Sequence, residues 1–152
     1  MNDSLAISNN ILRKAFNEGI EVSPMKLQKL LYFLYARYLH VSNGEHLLTS
    51  RFEVWMYGPV LAEVYHHFSE YGAKHIREYA VVNDEAFALN EGKNPLFKET
   101  LDEVWGRFKD YSGQHLSALT HFEDSAWDKA HKRRDRFLND DEVKSDGVFF
   151  FE

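Results

Sequence analysis

The chain contains no cysteine. That excludes disulfide scaffolds, thiolate metal sites and cysteine nucleophiles, and it fits a reducing compartment. No apolar run approaches the roughly 18 residues of a membrane-spanning helix, and the N-terminus lacks a signal-peptide layout. The chain is therefore expected to be soluble and cytoplasmic, with no membrane contact. Positive charge is also short: 18 Lys and Arg stand against 24 Asp and Glu, a formal net charge of −6. Gripping nucleic acid needs a concentrated basic surface, so this balance argues against nucleic acid and suits a basic partner. There is no GxSxG, P-loop, dinucleotide fingerprint or HExxH spacing, so the chain is expected to be no enzyme and to need no cofactor. Repeats, low-complexity tracts and linkers are absent too, which points to one domain over 1–152.

What is present is core material. Of the 152 residues 44% are hydrophobic and 15% aromatic, enough for a chain of this size to bury around two-thirds of its unfolded surface. The pattern predicts a mainly α fold, a compact helical domain around a buried central helix. Small β elements are placed near 51–57 and 79–89.

The central helix starts at Ser23, a good N-cap, with Pro24 at the first helical position where its missing N–H costs nothing. Leu27, Leu30, Leu31, Leu34, Tyr38 and Val41 repeat at helical spacing, and Tyr32, Phe33, Tyr35 and Leu39 make most other sides apolar. Such a helix belongs in the middle of the molecule. Lys26, Lys29, Arg37 and His40 form its one polar stripe, expected to be a solvated edge. Asn43-Gly44 supplies a left-handed stop.

Phe52, Val54 and Met56 then alternate with Glu53, Trp55 and Tyr57. That is the period of a half-buried strand, although so short a run also fits irregular structure. Alternation puts Trp55 and Tyr57 on one side, opposite Phe52, Val54 and Met56. Gly58-Pro59 ends the segment and opens a second amphipathic helix with Val60, Leu61, Val64, Tyr65 and Phe68 as its apolar stripe and Gly72 as its stop.

A first helix is expected over 3–18, packing on the central one through Leu5, Ile11, Leu12, Ala15 and Phe16. Between Tyr79 and Leu89 the turn chemistry is partial, and a small hairpin and a loop with a helical turn both remain open. Further helices are read after Asn94-Pro95, with Leu101, Val104, Trp105 and Phe108 inward, after Ser112, with Leu116 and Leu119 inward, and around Ser125 to Ala130, with Trp127 inward. Residues 137–152 form a closing C-terminal segment. Its Phe149-Phe150-Phe151 run is expected to pack on the domain, because three exposed phenylalanines would be an aggregation liability.

Several blocks, in order and spacing, resemble one family. KLQKLLYF at 26–33, RFEVWMYGPV at 51–60, VY at 64–65, YG at 71–72 and YSGQHLSALTHFEDSAW at 111–127 are similar to the Panacea domain, the family of SocA-like and GepA-like proteins found as bacterial antitoxins and in prophages. The resemblance covers roughly residues 5 to 137. It implies an antitoxin that neutralises a cognate toxin protein by direct contact. It also implies two alternatives: an adaptor delivering the toxin to a protease, and a phage-encoded protein binding another host target.

The eight histidines include His66-His67, but neighbours on a helix point about 100° apart and do not chelate one ion, so no metal is expected. Four cations at 132–136 invite a phosphate-binding reading, which the adjacent Asp140-Asp141-Glu142 blunts. The sharpest local group is Trp55-Met56-Tyr57-Gly58-Pro59. Trp and Tyr bury large area with few rotors and are favoured at protein contacts. The candidate partner-contact residues are Lys29, Arg37, Trp55, Tyr57 and His66, each large or charged on the least apolar side of its segment.

Overall fold

The computed structural model describes residues 4–152; residue 3, where the first helix was expected to begin, lies outside the described residues. Seven α-helices and one hairpin make up the described chain. They are α1 (Ser4–Glu18), α2 (Pro24–Val41), β1 (Glu53–Trp55), β2 (Gly58–Val60) and α3 (Ala62–Phe68), which runs into a 3-10 turn, Ser69–Tyr71. Then follow α4 (Pro95–Phe108), α5 (Gly113–Thr120), α6 (Ala126–Arg133) and α7 (Asp140–Phe149). The fold is mainly α with a small β element.

Helix α2 is the hub. Ser23 accepts a hydrogen bond from the Lys26 amide, and Pro24 follows it. From Leu27 to Ala36 every residue is buried, and α1, α3, α4, α5, α7 and β2 all pack on it. One expectation is corrected here: the polar stripe is not a solvated edge. Lys26 and Lys29 are buried, at 6% and 1% exposure. The helices around α2 leave that side no water, so the two amines reach backbone carbonyls instead, Lys26 to Lys109 O and Lys29 to Pro59 O.

Helix α7 crosses α2 closely at Gly147. A Cβ built there would stand 2.1 Å from Ala36 O, so only glycine allows this approach. Beside the crossing, the Tyr32 hydroxyl donates to Asp146 Oδ2 at 2.5 Å. Phe150 is buried against Phe33 with ring centroids 5.1 Å apart, while Phe149 stays half exposed against Phe122.

The stretch 79–89 is held without a sheet. Val82 and Glu85 exchange backbone hydrogen bonds around Asn83 and Asp84, both left-handed at φ 53° and 64°. This is the turn geometry that favours Asn and Asp. The flanking backbone is bound by asparagine side chains of α1. Asn9 bonds the Ala80 N–H, Ala80 O and Phe87 O, and Asn10 bonds the Leu89 N–H and Leu89 O.

Candidate functional site

The β1–β2 hairpin is antiparallel, pairing Glu53 with Val60, Val54 with Pro59 and Trp55 with Gly58 around the two-residue turn Met56-Tyr57. Gly58-Pro59 therefore begins a second strand rather than a helix, and α3 starts only at Ala62. Phe52 is buried, but Met56 is not on the inner side: it is 78% exposed, because alternation ends where the turn begins. The segment 136–138 runs along the other edge of β1, with the Val54 N–H donating to Arg136 O and the Leu138 N–H to Phe52 O.

A hairpin this short is marginal in water by itself. Here side chains from three helices grip its carbonyls one after another. Trp127 Nε1–H of α6 donates to Trp55 O at 2.7 Å, and Ser117 Oγ–H of α5 to Tyr57 O at 2.6 Å. Lys29 Nζ of α2 donates to Pro59 O at 3.0 Å. Gln28 holds the exit with both ends of its amide, giving to Leu61 O at 3.0 Å and accepting from the Leu61 N–H at 2.9 Å. Between them His121, capping α5, has Nε2 2.8 Å from Met56 O and Nδ1 2.7 Å from Ser117 O. Both ring nitrogens face carbonyls, so only the doubly protonated ring donates to both.

Each such bond contributes roughly 1 kcal/mol net, and stranding a buried acceptor costs about 1–3 kcal/mol. Together they add to what the short ladder supplies. Packing tightens the grip. Gly58 has φ +112°, and a Cβ on it would stand 2.5 Å from Thr120 Oγ1 and 3.2 Å from Lys29 Nζ. Trp127 stacks on the His131 ring at a centroid distance of 4.7 Å and meets the tilted His121 ring at 4.0 Å.

The clamp turns an apolar edge outward. Met56 and Tyr57 are 78% and 62% exposed. Beside them, half-buried Trp55 meets Tyr65 edge to face at 4.8 Å. Behind this edge lies a cavity of about 170 Å3 with Lys29, Trp55, Tyr57 and Tyr65 in its wall. Burial pushes the Lys29 amine down to about 7.

Of the five candidate contact residues, three come together: Lys29, Trp55 and Tyr57 line this one cavity. Lys29 does so from inside the fold, not from a surface stripe. His66 is exposed on α3, with its ring 5.6 Å from Tyr65. Arg37 stands elsewhere, tied to Glu103 by two hydrogen bonds, to Gly147 O at 3.0 Å and over the Phe151 ring at 4.9 Å. It staples α2 to α4, α7 and the tail. Three of the four cations at 132–136 are also engaged: Lys132 with Asp128, Arg133 with Asp135 and Glu142, and Arg136 with Glu53. Among the described residues no three of His, Asp or Glu are arranged to hold a metal ion.

Sequence reading missed Gln28, Ser117, His121 and Trp127 as one device. The available signal was Gln28 and Lys29 side by side within the otherwise apolar stretch 27–36 of α2.

The blocks that meet at the hairpin match a family in that order. A family model described as "Antitoxin SocA-like, Panacea domain" matches residues 27–128. The chain belongs to this Panacea-domain family. It is also 35% identical to "Antitoxin SocA" of Caulobacter vibrioides (strain NA1000 / CB15N) over 130 residues, which cover 83% of this chain and 69% of that protein. No solved structure matches the chain. All the clamp residues, from Gln28 to Trp127, fall inside the Panacea match, whereas α7 lies beyond it. No described helix is long and apolar enough to cross a membrane.

Proposed function

We propose that this chain is an antitoxin that neutralises a cognate toxin by direct protein contact, with the hairpin tip and the aromatic edge around it as the contact surface. One observation carries the placement: Met56 and Tyr57 are exposed on a turn whose neighbouring carbonyls are each held by a buried or capped side chain. A contact loop already ordered loses little freedom on binding, and Tyr and Trp are the side chains that most often dominate protein interfaces. The relationship to a protein named as an antitoxin supports the biological role. In this reading the protein works in the cytoplasm by binding, without catalysis or cofactor.

The test is co-expression with the product of the adjacent gene, followed by purification through a tag on this chain. Growth arrest by the neighbour alone, rescue by this chain and co-elution of a stable complex are expected. Rescue without a stable complex would replace blocking by delivery of the toxin to a protease. A harmless neighbour would end the toxin pairing and turn the search to another host target.

A further inference from the structure

The clamp leaves one of its own groups incomplete. Lys29 is 1% exposed. Its ammonium form carries three N–H donors, yet among the described residues it has one acceptor, Pro59 O at 3.0 Å, and no carboxylate partner. A buried cation without a counter-charge is costly, which is why the amine gives up its proton so readily. Lys29 contributes to the wall of the cavity of about 170 Å3, whose other walls include Met25, Val60, Val64 and Phe68. Drug-sized ligands need roughly 300 Å3 or more. This cavity has the size of a single anchoring side chain.

We propose that the cavity captures the C-terminal residue of the partner protein, whose apolar side chain fills it while the α-carboxylate meets the Lys29 amine. The proposal rests on the antitoxin reading for the partner's being a protein and adds the chemistry of its contact. The walls choose between the two carboxylates a protein can offer. A Glu or Asp side chain reaches Lys29 on a stem of one or two methylenes and leaves the apolar wall uncovered. A chain end carries an apolar side chain and a carboxylate on one Cα, so both fit a cavity of one-residue size. Capture of a chain-terminal carboxylate is an established mode of peptide recognition. The same amine holds Pro59 O, so an occupant bound there also braces the hairpin that carries Tyr57.

The experiment uses the isotopically labelled full chain and three peptides of about five residues. One ends in a phenylalanine free acid, one is the same peptide with an amidated end, and one has an internal glutamate and an amidated end. The free acid is expected to shift the Trp55 indole N–H and the Lys29 methylene signals at about millimolar concentration, and to bind at least about tenfold tighter than its amide. Binding near pH 8 should take up a proton, seen calorimetrically as a dependence of heat on buffer, because the carboxylate restores the ammonium form. Lys29→Met should abolish the preference for acid over amide. Comparing acid with amide on the unaltered chain keeps the test valid even where that variant folds poorly. Equal binding of acid and amide, shifts that map elsewhere, or no binding overturns the proposal, and preference for the internal glutamate overturns the chain-end assignment. If co-expression still rescues growth, the antitoxin reading stands and the cavity alone has failed; if the peptide binds but rescue fails, it is the antitoxin reading that falls.

Discussion

The two structures seated on α2, the hairpin and helix α7, are attached by opposite means. Helix α7 lies against α2 mainly through shape: Gly147 meets Ala36 backbone to backbone and Phe150 fills the space beside Phe33, with hydrogen bonds from Tyr32 to Asp146, Tyr35 to Asp140 and Arg37 to Gly147 O alongside. The hairpin is attached through hydrogen bonds to its carbonyls and leaves its aromatic tip in water. Close packing has no tolerance for added atoms and makes a rigid joint. A polar grip positions backbone while sparing side chains for other contacts. The close joint therefore concentrates stability at α7, and the grip leaves the hairpin tip free for the proposed contact.

The largest effect should come from cutting the chain before Val148. Loss of Phe150 and Phe151 removes aromatic packing on Phe33 and Phe108, worth about 3–5 kcal/mol, and lowers Tm by many degrees. An unchanged melt together with lost partner binding would move this segment from the stabilising side of the comparison to the binding side.

Next comes pH. Burial pushes the Asp146 carboxyl up to about 6, despite the hydrogen bonds from Tyr32 and the Ala126 amide. Between about pH 4 and 6 the unfolded chain has released this proton while the folded chain keeps it, so stability falls as pH rises through that window, then levels off. The full effect is on the order of 3 kcal/mol. Asp146→Asn should flatten that part of the stability profile in denaturant titrations; an unaltered profile would mean that other groups govern it.

Gly147→Ala should cost about 1–3 kcal/mol, because its methyl meets Ala36 O and the helices must separate. Gly106→Ala in α4, where a Cβ meets nothing within 4 Å, should instead gain about 0.5–1 kcal/mol. Equal melts for the pair would show that the close crossing is not tight in solution.

The smallest changes in stability belong to the hairpin. Tyr57→Ala should leave the melt unaltered, since the ring is 62% exposed, while weakening the proposed partner complex by about 2 kcal/mol, or roughly thirtyfold. Trp127→Phe keeps the ring and removes the donor to Trp55 O, costing about 1 kcal/mol and speeding hydrogen exchange in 53–60. A lower melt for Tyr57→Ala would place that ring in the core after all.

Much of the scaffold was legible along the chain. The caps Ser23 and Ser112 each accept the expected amide bond, from Lys26 and His115. The apolar spacing located α2, and Trp127 is buried as its position in α6 required. Trp55 and Tyr57 were legible as a pair on one side, and they share one cavity. What misled was charge. Lys29 and Arg37 sit eight residues apart on one stripe, alike in sequence, yet one is a buried donor to a hairpin carbonyl and the other an ion-paired staple. Asn9 and Asn10, which carry the 79–89 backbone, showed no local signal because their partners are some 70 to 80 residues away.

By itself the amino-acid order determined most of the helices before α7, two of their caps, the dominance of α2 and the family to which the chain belongs. Those properties depend on neighbours three or four positions apart and on local backbone preference, which a linear pattern records. Tertiary structure decided which polar side chains are buried, that Gly147 is a crossing point, and that Gln28, Lys29, Ser117, His121 and Trp127 close around one hairpin. Each of these depends on where a carbonyl from a distant segment comes to rest once the helices have excluded water from the space between them.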